Sequence, residues 1–388
     1  MKIQLIGSTN RISTIPSMKK FSTDLGRICY TEKDWEEVKN EELNSRLTEG
    51  MLSSGHHSTF EHMDLNFYIT GLPKALAMAL NNEKAYTTSE KSARYTLMTG
   101  IDNLQSEKYN KWMDILYPRI DAVYPMTDSP RRKRTVRNLS RENSRYMLSV
   151  FAPTKMGHSL RLRQLNFVRQ QFGDFIKVYG GSEDVFKSKL AISMKEFLQG
   201  TEKFYIPNLE NQTDRHLSLF FDENLFKRSD VKEYFGDVYS TQTDLSFAGL
   251  AQAHRHRTIN YNIAGGTEQG APYGFFVPEI IQNDTKLSSE WLSDLDEIAK
   301  YDFPQAQMLK VNERGSPEDF RSKAMLRLCG HAQHEIMRDT LATGKKYLQF
   351  QEMYSPGGKN PLSPKCIQGE KCNEPCAWGG KMALERII

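Results

Sequence analysis

Leu245-Ser246-Phe247-Ala248-Gly249-Leu250-Ala251-Gln252-Ala253-His254-Arg255-His256-Arg257 is the stretch from which the rest of the chain can be read. Small and apolar residues over Leu245–Ala253 predict a short helix buried on most of its sides. It runs directly into four cationic or titratable side chains, His254-Arg255-His256-Arg257. If the helix continues, Gln252 shares a face with Arg255 and His256, three and four residues on. Like charges at this density repel, so either an anionic ligand such as phosphate shares the site or carboxylates pair with it at the surface.

Working outward, the same order recurs upstream. Leu65–Thr70 alternates like a half-buried strand. Leu72–Leu80 follows as an apolar helix with Pro73 in its first turn, and it ends in Asn81-Asn82-Glu83-Lys84. Each half then has an Arg-bearing helix, over Leu160–Phe172 and Phe320–Leu341. This predicts an internal duplication with a boundary at Gly200-Thr201-Glu202, giving domains 1–200 and 201–388, the second with a Cys-containing tail. Met1–Gly7 reads as a first strand, and Ser22–Tyr30 and Glu42–Leu52 as helices.

A chain of 388 residues suits two domains rather than one core. Hydrophobic residues at 38% and charged residues at 26% indicate a soluble globular protein. No apolar run approaches a bilayer span, and the N-terminus turns polar too soon for a signal peptide, so a cytoplasmic location is expected. The net charge of +4 permits anionic ligands without demanding nucleic acid. The basic residues crowded over Arg131–Arg145 form either a solvated helix face or a phosphate or RNA contact. Cys29 and Cys329 sit in apolar contexts and read as buried thiols, whereas Cys366, Cys372 and Cys376 cluster near the C-terminus. Three thiols need a fourth ligand to hold zinc, so an unligated tail is the expected state, with a structural zinc as its competitor.

Three further clusters carry chemistry. Gly55-His56-His57-Ser58-Thr59-Phe60-Glu61-His62 fits either a capped turn or a ligand contact, and its spacing is not that of a helical zinc motif. In Ser89-Glu90-Lys91-Ser92-Ala93-Arg94-Tyr95, an extended backbone would turn Glu90, Ser92 and Arg94 to one face, a natural phosphate grip. The same pattern also fits a polar strand with local ion pairing. In Arg327-Leu328-Cys329-Gly330-His331-Ala332-Gln333-His334-Glu335, the spacing places Arg327, His331 and Glu335 on one helical stripe. A buried Arg327 then needs either a ligand oxyanion or a carboxylate such as Glu335.

Together these segments resemble the flavin-dependent thymidylate synthases. That family carries G-H-x-S/T-x-x-E-H, then R-H-R, a spacer and E-x-S-x-R-Y, and closes on R-x-x-x-H-A-Q. The first half has Gly55-His56 through Glu61-His62 and Glu90 through Tyr95, but Asn82-Glu83-Lys84 in place of the triplet. The second half has Arg255-His256-Arg257, then Ile263-Ala264-Gly265-Gly266-Thr267 where E-x-S-x-R would follow, then Arg327 and His331-Ala332-Gln333. The resemblance implies an α/β (α+β) fold of two tandem domains with complementary losses. Each would be a mainly antiparallel sheet with helices, and two chains would form a homodimeric pseudo-tetramer.

It also implies roles. Glu90, Ser92, Arg94, Arg145, Gln252 and Arg255 would bind the pyrimidine nucleotide, dUMP or a relative. His56, Ser58, Arg255, His256, Arg257 and His331 would bind FAD, with Arg161 and Arg163 as weaker flavin candidates. Arg327 would be catalytic, favouring an anionic pyrimidine ring. Gln307 would stand where the second half should repeat Arg145, and Gln171 or a neighbour where the first should repeat Arg327. No metal is implied. The implied reaction is one-carbon transfer to C5 of a uridine nucleotide, with methylene-tetrahydrofolate and NADPH as co-substrates. The alternative is a non-catalytic nucleotide- or RNA-binding protein on the same scaffold.

Overall fold

The computed structural model describes residues 1–209, 219–220, 233–350, 362–369, 376–378 and 384–388. The chain forms two compact units: Met1–Lys91 with Pro153–Phe221, and Ser92–Ala152 with Asp222–Ile388.

In the first unit, β1 (Lys2–Ser8), β2 (Asp64–Pro73), β3 (Tyr86–Glu90) and β4 (Pro153–Arg161) form an antiparallel sheet in the order β1-β2-β4-β3. Alternation in β2 buries Leu65, Phe67 and Ile69 on one face. Its register against β4 shifts between Thr70 and Leu72, and Gly71 takes the left-handed φ of +69° that this bulge requires. Helices α1 (Ile15–Arg27), α2 (Trp35–Val38) and α3 (Ser45–Ser53) precede β2. The predicted helix at Ser22–Tyr30 thus begins earlier, because Pro16 suits a first turn, and its last residues tighten into a 3-10 turn over Ile28–Tyr30. The one predicted at Glu42–Leu52 starts at Ser45, where the Asn44 side chain caps Leu47 N–H. Between β2 and β3, α4 (Lys74–Leu80) is buried at every residue after Lys74.

In the second unit, α5 (Asn103–Val123) and α6 (Pro130–Ser144) come from the first half of the sequence. β5 (Tyr234–Phe235), β6 (Tyr239–Ser246), β7 (Asn260–Gly265) and β8 (Met308–Gly315) form an antiparallel sheet in the order β5-β6-β8-β7. Helix α9 (Phe247–Ala253) joins β6 to β7, and α10 (Glu279–Gln282) and α11 (Thr285–Ala299) precede β8. Helices α12 (Pro317–Arg327) and α13 (His334–Phe350) follow it. (α7, Leu162–Tyr179, and α8, Val185–Thr201, follow β4 in the first unit.)

The two sheets have the same strand order, but the compact units do not follow the division at residue 200, because residues 92–152 pack with the second half. The physical reason is the stripe Trp112, Leu116 and Ile120 on α5, which packs with Trp291, Leu295 and Ile298 of α11 in one core. Trp112 and Trp291 meet edge to face at 4.8 Å, and Trp112 Nε1 donates to Asp294 at 2.8 Å. Each of these large side chains contributes roughly 1.5–3 kcal/mol by burial. Backbone bonds add to this: Val150 N–H donates to Phe303 C=O at 2.8 Å and Gln305 N–H to Leu148 C=O at 2.7 Å.

Register fixes which positions of the two sheets correspond. Pro153 pairs with Pro73 just before α4, as Met308 pairs with Ser246 just before α9. Glu90, opposite Met156, therefore corresponds to Ile263, opposite Val311. Counted from Pro153 and Met308, Arg145 corresponds to Lys300, not to Gln307. Arg327 corresponds to Phe172, the neighbour of Gln171.

Candidate active site

Ser92, Arg94, Arg145, Gln252, Arg255, His256, Arg257, Arg327 and His331 all fall in the second unit. The cationic triplet is not on a helix: α9 ends at Ala253 with His254 as its C-cap, so Arg255–Arg257 lie on the following turn. That turn buries His256 and exposes Arg255 and Arg257, separating the triplet into two roles.

His256 and Arg327 hold each other. Arg327 Nε–H donates to His256 Nε2 at 2.7 Å, and its Nη2 donates to the Gln252 carbonyl at 3.0 Å. Burial first, then the charges of Arg327 and Lys323, press the His256 pKa down to about 2, so it is neutral and able to accept. The Arg327 pKa is lowered to about 10, first by burial and then by the charges of Arg94 and Arg255, against a favourable effect of Tyr261. Arg327 remains a cation at neutral pH. The charges of Arg94 and Arg255 thus reach Arg327 within one unit. Lys323, the other charge on His256, is itself buried between Glu313 at 2.6 Å and Asp339 at 3.2 Å.

Arg94 is fixed from two sides. Its Nε forms an ion pair with buried Glu142, and its Nη2 donates to the His331 carbonyl at 2.8 Å. Burial opposes its charge, but Glu142 and the nearby Tyr95 and Tyr146 outweigh that and raise its pKa. The strand does not carry it: β3 stops at Glu90 and the chain turns, with Tyr95 N–H donating to Ser92 C=O at 3.2 Å. Ser92 Oγ accepts from Arg94 N–H at 3.3 Å. Glu90 belongs to the first unit, where its side chain is 1% exposed and Oε1 accepts from Lys74 Nζ at 2.6 Å. The expected single extended face of Glu90, Ser92 and Arg94 is therefore replaced by a strand end and a turn.

The stripe expected for Arg327, His331 and Glu335 is also broken. Helix α12 ends at Arg327, α13 begins at His334, and the exposed His331 lies on the turn between them. Glu335 does not meet Arg327. It turns inward, accepting from Tyr146 Oη at 2.6 Å, Ser246 N–H at 2.7 Å and Ser246 Oγ at 2.8 Å. Gln333 Nε2 donates to Tyr146 Oη at 2.6 Å, and Gln333 Oε1 accepts from Arg145. Arg145 is buried, and its Nε has no hydrogen-bond partner among the described residues. Burial lowers its pKa despite Tyr146 and Glu142, and burial raises that of Glu335 despite its donors. Glu142 and Tyr146 were not singled out by sequence, and Gln333 only as the last letter of the closing motif. For Glu142 the one signal was an acidic residue inside an arginine-rich helix.

In the first unit, His56 precedes the 3-10 turn His57–His62 and meets Tyr30 edge to face at 6.3 Å, while Ser58 is exposed. His57 Nε2 bonds the Leu52 carbonyl at 2.9 Å, and Glu61 bridges Arg161 at 2.8 Å and Arg163 at 2.7 Å, so this segment is a cross-tied turn, but no side chain caps its start. Among the described residues no His, Cys, Asp and Glu group could hold a metal. Cys366 and Cys376 are thiols without a disulfide, Cys29 is exposed and Cys329 half-buried rather than buried, and Cys372 lies outside the described residues. No helix among the described residues is long and apolar enough to cross a membrane.

Residues 12–171 match the family model described as thymidylate synthase complementing protein. That match spans less than half of the chain, so it marks a likeness of residues 12–171 to the family. The span includes His56, Ser58, Glu90, Ser92, Arg94 and Arg145, whereas Gln252 to Arg257, Arg327 and His331 lie beyond it. Among solved structures, the chain is similar to the flavin-dependent thymidylate synthase ThyX from Helicobacter pylori complexed with FAD and dUMP, with 17% identity over 54% of this chain and 100% of that one, at a TM-score of 0.30. It is similar also to the UMP/dUMP methylase PolB from Streptomyces cacaoi bound with 5-Br dUMP, with 13% identity over 54% of this chain and 92% of that one, at a TM-score of 0.33. No curated protein sequence matches.

Proposed function

We propose that the chain transfers a one-carbon unit from methylene-tetrahydrofolate to C5 of a uridine nucleotide, most simply converting dUMP to dTMP, with FAD and NADPH. The observation that carries this reading is the part-buried Arg327, held by the His256 ring and the Gln252 carbonyl with the charges of Arg94 and Arg255 acting on it, a cation that an anionic nucleotide would stabilise. In this reading Arg94, braced by Glu142 and the His331 carbonyl, holds phosphate with Ser92 and Arg255. Arg327 is oriented by His256 and Gln252 through Nε and Nη2, which leaves Nη1 to meet a ring oxygen and favour negative charge on the pyrimidine. Moving a carbon onto C5 requires that electron-rich ring.

The donor set at the turn suits a flavin in part. Arg255 and Arg257 are exposed cations fit for its phosphates or reduced ring, whereas His256 is spent on Arg327 and serves as a positioning residue. Bound FAD would supply hydride or relay the methylene unit. His56 and Ser58 are also proposed flavin contacts, and FAD content of a His56→Ala variant tests this. We further propose that the matching strand orders reflect a tandem repeat, that two chains associate as a homodimer, and that the protein acts in the cytoplasm. Light scattering reads the assembly directly.

The deciding experiment is turnover with dUMP, methylene-tetrahydrofolate and NADPH, with the product mass determined. A protein that stays colourless with added FAD and yields no heavier pyrimidine overturns the reading. The competing reading, a nucleotide- or RNA-binding protein without turnover, draws on the exposed Arg131, Lys133, Arg134 and Arg137 of α6. Nucleotide binding with no product under any reductant would favour it.

A further inference from the structure

The second unit holds a cleft of about 360 Å³ that none of Gln252, Arg255 or Arg327 lines. One wall is α6. Arg131, Arg134, Thr135 and Asn138 follow one another at helical spacing, and all face the cleft. Tyr124 and Trp378 also line it, and their rings meet edge to face at 6.0 Å. Arg94 and the turn Gly330–Ala332 close one end. Glu142 also lines the cleft, but its carboxylate is committed to Arg94, and the Ala332 carbonyl accepts from Arg386. Among the described residues that line it, the guanidiniums Arg94, Arg131 and Arg134 outnumber the one carboxylate, an excess of positive charge that favours anions. Its aromatic side adds a surface against which a planar ring can lie. Its volume is in the range that takes one small molecule.

We infer that this cleft is a second ligand site for a phosphorylated compound with a planar ring, of the nucleoside monophosphate class. Arg131 and Arg134 take the phosphate, Asn138 offers neutral hydrogen bonds, and Trp378 and Tyr124 pack against the ring. The site shares Arg94 and its braces Glu142 and His331 with the proposed pyrimidine grip but not Ser92, Gln252, Arg255 or Arg327, and it stands whether or not that grip is catalytic. Occupancy of the cleft bears on Arg94 through their shared wall, which gives it a route to influence nucleotide affinity at the first site.

The test uses the full chain and AMP as probe, read by tryptophan fluorescence. Trp112 and Trp291 are fully buried, so a nucleotide-dependent change reports on Trp378 or on Trp35 of the first unit, and Trp378→Phe separates the two. With dUMP at saturation, AMP is expected to quench the wild-type chain at one equivalent and to leave Trp378→Phe unquenched. Arg131→Ala/Arg134→Ala should weaken AMP at least ten-fold, Arg131→Lys/Arg134→Lys should recover most of it, and Arg327→Ala should bind within two-fold of wild type. Both substituted residues are exposed, so circular dichroism should be unchanged. The inference is overturned if AMP does not bind, if the double alanine variant binds equally well, or if dUMP displaces AMP one for one. An oligoribonucleotide binding more than ten-fold tighter than AMP would overturn the small-molecule class.

Discussion

Arg327 and His256 show how two cationic-looking residues divide their work. The imidazole stays neutral because burial and two nearby cations forbid its proton, and a neutral ring can accept from Arg327 Nε. Arg327→Ala is expected to lower kcat/KM for dUMP by about 10²–10³-fold, as removal of a transition-state donor does, with thermal stability within a few degrees of wild type. Arg327→Lys should recover little, since an ammonium cannot span His256 and the Gln252 carbonyl as a fork does. Steady-state kinetics with product analysis checks both. A second expectation concerns pH. His256 and His334 have folded pKa values of about 2 and about 4, each lowered first by burial, against an ordinary value near 6.5. Below pH 6.5 the unfolded chain takes up protons that the folded chain refuses, so their stabilising effect is complete above pH 6.5 and lost as pH falls. Between pH 6.5 and 5 each costs about 2 kcal/mol. Melting temperature should fall over that interval and fall less steeply in His256→Gln. A wild-type profile flat from pH 7.5 to 5 would count against neutral buried imidazoles.

At the scale of elements, α9 is a helix of small residues for a specific reason. A Cβ on Gly249 would stand 2.6 Å from Glu335 Oε1, so the glycine lets a buried carboxylate reach the helix start, where Ser246 Oγ also accepts from Gly249 N–H at 3.0 Å. Gly249→Ala is therefore expected to destabilise by about 1–3 kcal/mol, far from the gain such a change brings on an open helix face, and urea denaturation measures it. Composition revealed the helix and its apolar character. It did not reveal the reason, because Glu335 is remote in sequence and its spacing from Arg327 and His331 pointed to a different partner. The break between α12 and α13 was hidden for the same cause. Arg327, His331 and Glu335 keep helical spacing on paper, yet Gln333 and Glu335 must turn inward to satisfy Arg145, Tyr146 and Ser246. An unsatisfied buried polar group costs about 1–3 kcal/mol, enough to outweigh a turn of helix.

For the whole molecule, the units cut across the order of the sequence. Residues 92–152 belong to the first half of the chain, and their apolar stripe packs with α11 of the second. A fragment of residues 1–200 should then expose Trp112, Leu116 and Ile120. It should bind the hydrophobic dye ANS and self-associate, whereas the full chain should not, as fluorescence and size-exclusion chromatography would show. In the full chain, Trp112→Ala should cost about 3–5 kcal/mol by cavity formation. What the sequence determined by itself is local: the alternation in β2, the apolar helices before residues 81 and 254, and the motif residues from Glu90 to Arg94 and from Arg255 to Arg257. These depend on periodicity and on short-range spacing, which a single strand of letters preserves. Tertiary structure alone decided that Arg94 answers to Glu142, that Arg327 leans on His256, and that α5 serves the second unit. Those outcomes follow from burial, which obliges each desolvated charge and polar group to find a partner wherever the packed chain supplies one, however distant in sequence.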